Sequence, residues 1–378
     1  MECPRCHNQN VKRLYKLHGK YYCRQCIAFH RVWVDEPYTQ DHTRFPPQKV
    51  RYSLDFELSK SQQDISRQLV YNYQNHYHSL VLAVCGSGKT EIVFELIQYA
   101  LQRGDRVCFC IPRKELVKEL YQRIKEAFHQ IDIGLVYGGH VENINAQLIV
   151  CTMHQLYRFE KSGFHLMIAD EVDAFPFYGN PVLQQIFMRC CIGNYVKLSA
   201  TFVKEDIDGE ELLIMNRRYH GYDLPVPQLI ICPHCLQVLL ISFLLKKWKK
   251  KVIVFVPLVQ DVDKLASQLQ SYTHLRVRGV SSIHKHNQDN LMALKNGDID
   301  VIVSTTLLER GITIEDVQVI VYHGEHDLFD RRTLIQIAGR VGRKISHPQG
   351  HVYILSNEHT SSIRQCIHTI KNLNQMSV

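Results

Sequence analysis

AVCGSGKT, residues 83 to 90, joins two segments of different periodicity, and that change decides the fold. Leu80, Val81 and Leu82 ahead of it read as a short apolar strand, while Ile92, Val93, Leu96 and Ile97 after it recur at helical spacing. The stretch between them is a strand-to-helix turn. Gly86 and Gly88 let backbone N–H groups close around an anion with no Cβ in the way, at a helix N-terminus that already favours negative charge. Ser87 lies between them, Lys89 reaches the β- and γ-phosphates of a nucleoside triphosphate, and Thr90 offers its hydroxyl to Mg2+. A glycine turn with a solvated lysine is the bland alternative, and the motifs that follow argue against it.

His165 to Ala169 (HLMIA) reads as a buried strand, and DEVD at 170 to 173 follows it directly. Acidic residues at the carboxyl edge of such a strand stand where parallel α/β sheets bind ligands. Asp170 is expected to hold Mg2+, directly or through water, and Glu171 to polarise the water that attacks the γ-phosphate. Asp173 is read as a tie to neighbouring motifs. Apolar strands at 252 to 256, 301 to 303 and 317 to 321 then alternate with helix-like stretches such as Asp261 to Tyr272, so the pattern repeats in a second lobe. In QIAGRVGR (336 to 343), Arg340 and Arg343 are three apart and on a helix share a face. That spacing suits two cations delivered to a transition-state phosphate, with Gln336 one turn earlier near the attacking water. As an isolated string it suits a nucleic-acid backbone equally.

With SAT (199 to 201) and STTLLERGIT (304 to 313) in order between these strings, residues 83 to 343 resemble helicase superfamily 2. The resemblance implies an α/β fold of two RecA-like parallel-sheet lobes that bind and hydrolyse ATP. It extends to LSKSQ (58 to 62), PRKEL (112 to 116) and CTMHQL (151 to 156). By that resemblance Gln62 contacts adenine, Arg113, Thr152 and Thr305 touch the nucleic-acid backbone, and Ser199, Thr201 and Gly311 couple hydrolysis to lobe movement. Thr313 stands where many relatives place an aspartate for the ribose.

A second signal lies at the N-terminus. Cys3, Cys6, Cys23 and Cys26 form two C-x2-C pairs with sixteen residues between them, a spacing that brings two knuckles around one tetrahedral Zn2+. Four thiolates close the coordination shell, so the ion is structural. Two disulfides are the alternative; the start MECPRC, without an apolar signal segment, favours reduced thiols and a cytoplasmic setting. Lys12, Arg13, Lys16, Lys20, Arg24 and Arg31 are interleaved with Tyr15, Tyr21, Tyr22 and Trp33. Such mixing suits a single strand whose phosphates are neutralised while its bases stack, or else supplies the core of a small zinc ribbon. Loss of the metal is expected to unfold residues 1 to 33 locally and to leave the motor intact. CPHC at 232 to 235 lacks two further ligands in the sequence neighbourhood; Cys190 and Cys191 are the tempting thiols.

The 378 residues carry 45% hydrophobic content, enough for two lobes and a small module, and a net charge of +8 that favours a polyanionic partner. No apolar run reaches the length of a membrane span. The expected division is a four-cysteine zinc module (1–34), a proline-bearing linker (35–57), lobe 1 (58–224), an inter-lobe linker with Pro225 and Pro227 (225–238) and lobe 2 (239–378). The zinc pairs, LSKSQ, the DEVDAFPFYGNP block (170 to 181) and TTLLERGITIEDVQVIV together resemble the ComFA family of late-competence proteins over essentially the whole chain. That resemblance implies a cytoplasmic ATPase acting on incoming single-stranded DNA at the inner mouth of the membrane channel ComEC, with ComFC and DprA as associates. A PriA-like restart helicase and a DNA clamp without turnover stay open as alternatives. The clamp would be expected to have lost Lys89, Glu171 or Arg343.

Overall fold

The computed structural model describes residues 1–34, 36, 39–201, 207–284, 286–309 and 314–376. The chain falls into two compact units, 1–82 with 89–214, and 83–88 with 215–378.

The first unit opens with a hairpin, β1 (Leu14–Leu17) and β2 (Lys20–Cys23), antiparallel to each other. After it come α1 (Lys60–Gln74), β3 (Ser79–Ala83), α2 (Phe94–Gln102), β4 (Val107–Ile111), α3 (Lys114–Ala127), β5 (Ile133–Tyr137) and β6 (His140–Glu142). Then follow β7 (Leu148–Thr152), β8 (Phe164–Ala169), α4 (Pro181–Cys190), β9 (Cys191–Ser199) and β10 (Glu211–Met215). Strands β3 to β10 form one sheet in the order β10-β3-β9-β8-β4-β7-β5-β6. The central neighbours β3/β9, β9/β8, β8/β4, β4/β7 and β7/β5 are parallel, and only the edge pair β5/β6 is antiparallel among those whose register is described. Strands β4 and β7 are buried along their whole length, as apolar runs such as VCFCI and LIVCT require in a sheet covered on both faces.

The second unit holds β11 (Gln228–Ile231), α5 (His234–Trp248), β12 (Val252–Phe255), α6 (Val259–Thr273), β13 (Val277–Val280) and α7 (Asn287–Asn296). It continues through β14 (Val301–Ser304), β15 (Gln318–Val321), α8 (Arg331–Ala338), β16 (Val352–Ser356) and α9 (Ser361–Gln375). Its sheet is parallel throughout, in the order β11-β16-β15-β12-β14-β13.

Two boundaries differ from the sequence-based division. The segment 215–224 packs in the second unit, because the Asn216 amide donates to the Leu373 and Met376 carbonyls at 3.2 and 2.7 Å, and Leu224 and Asn374 exchange two hydrogen bonds. The expected inter-lobe linker 225–238 contains the edge strand β11 and the start of α5, so it is part of the second sheet. The stretch after the zinc module lacks regular elements from 39 to 58 yet is tied down. Asp41 N–H donates to the Lys161 carbonyl, Phe45 N–H to Gly104, and Ser53 N–H to Ala127, at 2.7, 2.8 and 3.0 Å. Val50 is buried within this strap.

Candidate nucleotide and zinc sites

In the first unit Arg113, Thr152, Asp170 and Ser199 follow or end β4, β7, β8 and β9. These strands are neighbours and parallel, so four segments far apart in sequence meet along one carboxyl edge, where such sheets hold ligands. Lys89 Nζ lies 3.7 Å from Asp170 Oδ1, both side chains largely shielded from solvent. Burial pushes the Asp170 carboxyl up, Lys89 opposes this, and the neighbouring Glu171 adds to it. A buried carboxylate beside a lysine and a further acid is short of positive charge, and the hard oxygen donors of Asp170 and Thr90 fit Mg2+. Glu171 holds φ +56°, a left-handed conformation uncommon for its type, which turns the chain sharply off the end of β8. Its N–H donates to Asp170 Oδ1 at 2.8 Å. Asp173 accepts from the Thr201 hydroxyl, and Ser199 Oγ both accepts from Thr201 N–H at 3.0 Å and donates to its carbonyl at 3.1 Å.

Gln62 has a structural duty that the sequence reading passed over. Its Oε1 accepts from Ser59 N–H at 2.9 Å while Ser59 Oγ accepts from Gln62 N–H at 3.3 Å, a reciprocal cap that starts α1. The Ser-x-x-Gln spacing inside LSKSQ was the available signal.

The loop 83–88 groups with the second unit. Gly86 and Gly88 stand at φ +83° and +76°, the left-handed region that glycine reaches without strain. The Cys85 thiol donates to Gln336 Oε1 at 3.3 Å, and a Cβ on Gly339 would fall 2.4 Å from Cys85 Cβ, so the close approach depends on that glycine. Buried Arg218, which no motif reading had singled out, donates to the Gly342 carbonyl at 2.6 Å and lies against Gly86; burial draws its pKa down to about 10. The expected helical pair Arg340 and Arg343 is corrected here. Helix α8 ends at Ala338, and Gly342 at φ +70° turns the chain, so the two arginines do not share a helix face. Arg340 is buried, whereas Arg343 Nε folds back onto the Gly339 carbonyl at 3.0 Å. Thr305 follows β14 and is half-buried; Arg310, Gly311 and Thr313 lie outside the described residues.

The four N-terminal cysteines converge. Their sulfurs lie within 4.8 Å of one another, with Cys3–Cys26 at 3.8 Å and Cys6–Cys23 at 3.7 Å. A tetrahedron with Zn–S bonds of about 2.3 Å has edges of about 3.8 Å, so the spacing fits one zinc. Hydrogen bonding from Cys26 holds the Cys3 thiol down to about 5, while burial pushes Cys6 up to about 11. Tyr15, Tyr22 and Trp33 meet in sequence, tilted at 60° and then edge-to-face at 87°, with ring centroids 5.6 and 6.0 Å apart and the Arg31 guanidinium over the latter two rings. Tyr15, Lys12 and Arg13 are exposed.

The module is not a loose appendage. Arg5, buried, forms a double hydrogen-bonded ion pair with buried Glu160 and also donates to the Phe29 and His30 carbonyls. Arg189 pairs with the same carboxylate at 3.0 Å and donates to the Pro4 carbonyl. Phe29 stacks on His154 and the His30 imidazole meets the Tyr157 hydroxyl at 3.1 Å. Of the partners on the motor side, His154 and Tyr157 belong to the turn Met153–Phe159 that Thr152 opens, Glu160 follows it directly and Arg189 lies on α4, and the cysteine core is continuous with that of lobe 1. The expectation that the motor ignores loss of the metal is therefore revised.

Comparison with known proteins accords with this geometry. Residues 55–204 match the family model "Type III restriction enzyme, res subunit" and residues 234–344 match "Helicase conserved C-terminal domain". The fold resembles that of S. cerevisiae Dbp5 bound to RNA and ADP BeF3, with a TM-score of 0.61, 18% identity and coverage of 84% of this chain and 92% of that one. These domains define a DNA-binding, ATP-hydrolysing enzyme of the superfamily 2 helicase type, and with it a requirement for ATP and Mg2+. Over 99% of its length the chain is 32% identical to Competence protein ComFA of Streptococcus pneumoniae, covering 90% of that protein, and likewise 32% identical to Competence protein ComFA of Bacillus subtilis, covering 86%. The chain belongs to the ComFA family of competence proteins. Among the described residues no helix is long and apolar enough to cross a membrane.

Proposed function

We propose that this chain is an ATP-driven single-stranded DNA translocase that moves transforming DNA into the cytoplasm during natural competence. Membership of the ComFA family over nearly the full length carries the reading. The Lys89–Asp170 pair and the cluster of exposed Tyr15 with half-buried Tyr22 and Trp33 support its two halves, nucleotide chemistry and base stacking. In this proposal Lys89 neutralises the outer phosphates and Thr90 with Asp170 holds Mg2+. Glu171 orients the attacking water, and Gln336, Arg340 and Arg343 stabilise charge on the transferring phosphoryl group. ATP binding closes the two lobes and hydrolysis reopens them, so that Arg113, Thr152 and Thr305 grip the strand alternately. One structural zinc holds the N-terminal module. The enzyme works in the cytoplasm, peripherally at the inner membrane face, with ComEC, ComFC and DprA as partners.

ATPase activity titrated with single-stranded DNA, duplex DNA and RNA tests the proposal. Single-stranded DNA is expected to stimulate most, with little sequence preference and a log–log salt slope of about −0.7 per phosphate neutralised. Stronger stimulation by duplex DNA or RNA, or robust unwinding of a blunt or forked duplex, would overturn it in favour of a restart-type or RNA helicase.

A further inference from the structure

Away from the helicase motifs, three side chains of the second unit converge at the carboxyl edge of its sheet. His234 opens α5 directly after β11, and His323 and Glu325 follow β15; β16, whose end supplies Ser356 and Asn357, lies between those strands. One donor atom from each of the three side chains lies within 4.8 Å of the other two. His234 Nε2 is 2.7 Å from Glu325 Oε1, the two imidazoles stack with centroids 4.1 Å apart, and Glu325 Oε2 accepts from Asn357 N–H at 3.1 Å.

A surface ion pair between His234 and Glu325 would account for two of these groups but not for His323. Its Nε2 is buried and has no hydrogen-bond partner among the described residues, an arrangement that native interiors avoid. Its backbone stands at φ +54°, which a β-carbon disfavours, and its N–H is fixed by Gln237 Oε1 at 3.1 Å. Tyr322 stacks on the ring with centroids 3.9 Å apart. The side chain is thus aimed and held at some conformational cost.

We infer that His234, His323 and Glu325 form a second metal site that takes a divalent ion of the zinc class. Two imidazoles and one carboxylate are a borderline donor set suited to Zn2+ or Co2+ rather than to Mg2+ or Ca2+. Among the described residues three protein ligands converge, and the His234 side chain is 46% exposed, so a fourth position opens to solvent. The ion there is exchangeable, in contrast with the closed four-cysteine site. The ligands that CPHC lacked in the sequence come from the loop after β15, not from Cys190 and Cys191, which belong to the first unit.

Titrating Co2+ into full-length protein that retains its structural zinc, after a mild chelator has stripped loosely held metal, tests this. One further equivalent is expected, with no thiolate charge-transfer absorption, and its binding falls as pH drops through the imidazole range. Glu325→Gln and His323→Asn, the latter chosen because asparagine tolerates a positive φ, should each weaken that equivalent by roughly 10²-fold or more while the structural zinc stays. Saturation at the four-cysteine site alone, or unchanged binding in both variants, would overturn the assignment. A thiolate band accompanying the second equivalent would also overturn it, moving the ion to Cys232 and Cys235.

Discussion

Glu171 combines a left-handed backbone, costing about 1–3 kcal/mol, with a position one residue beyond a buried carboxylate that faces Lys89. Glutamine preserves its length and its hydrogen bond to Asp170 through the main chain, and removes only the charge. Glu171→Gln is expected to keep nucleotide affinity and to lower turnover by roughly 10²-fold or more, as loss of a general base does. Equilibrium nucleotide binding and steady-state ATPase rates measured on one preparation check this, and equal loss of both would make the residue structural. Arg218 shows what a motif reading overlooks. It sits in no recognised string, yet its guanidinium ties Gly342 to the neighbourhood of Gly86.

At the scale of elements, the contact that matters most is Arg5 with Glu160. Removing one partner of a buried ion pair leaves the other desolvated and uncompensated, here two arginines at once. Glu160→Ala should therefore cost about 3 kcal/mol or more of first-unit stability in urea denaturation and should expose residues 1–34 to protease. Arg5 and Glu160 are 155 positions apart, and no periodicity or spacing links them, which is why the module read as an appendage. The central strands were legible because long apolar runs such as HLMIA can only be buried. By contrast β11, four residues at a sheet edge, carries too little pattern to distinguish it from a proline-flanked linker. The four cysteines were legible for the opposite reason, since two short-range spacings fix most of their geometry. His234, His323 and Glu325 come from two segments separated by β12 to β15, so only the folded sheet brings them together.

At the scale of the whole molecule, Lys12 and Arg13 lie exposed on the zinc module, remote in sequence from every nucleotide motif. Reversing both charges should weaken single-stranded DNA binding and reduce the salt slope by about 0.7 for each phosphate no longer neutralised, while turnover at saturating DNA stays near that of the unmodified chain. Fluorescence anisotropy across a salt series, paired with ATPase rates at saturating strand, measures the two separately. Loss of DNA-saturated turnover would place these residues in the motor's own machinery.

Through the seam between cysteine module and motor, a zinc ion held by the four cysteines would act on the motor as well as on the module. Because Arg5, Phe29 and His30 clasp the turn that Thr152 opens, whatever free energy the ion contributes to its four thiolates is shared by the segment expected to hold the DNA backbone. By mass action the first unit should then become more heat-resistant as free zinc rises, following RT ln(1 + [Zn]/Kd), with module and lobe expected to melt in one transition in a thermal scan across zinc concentrations.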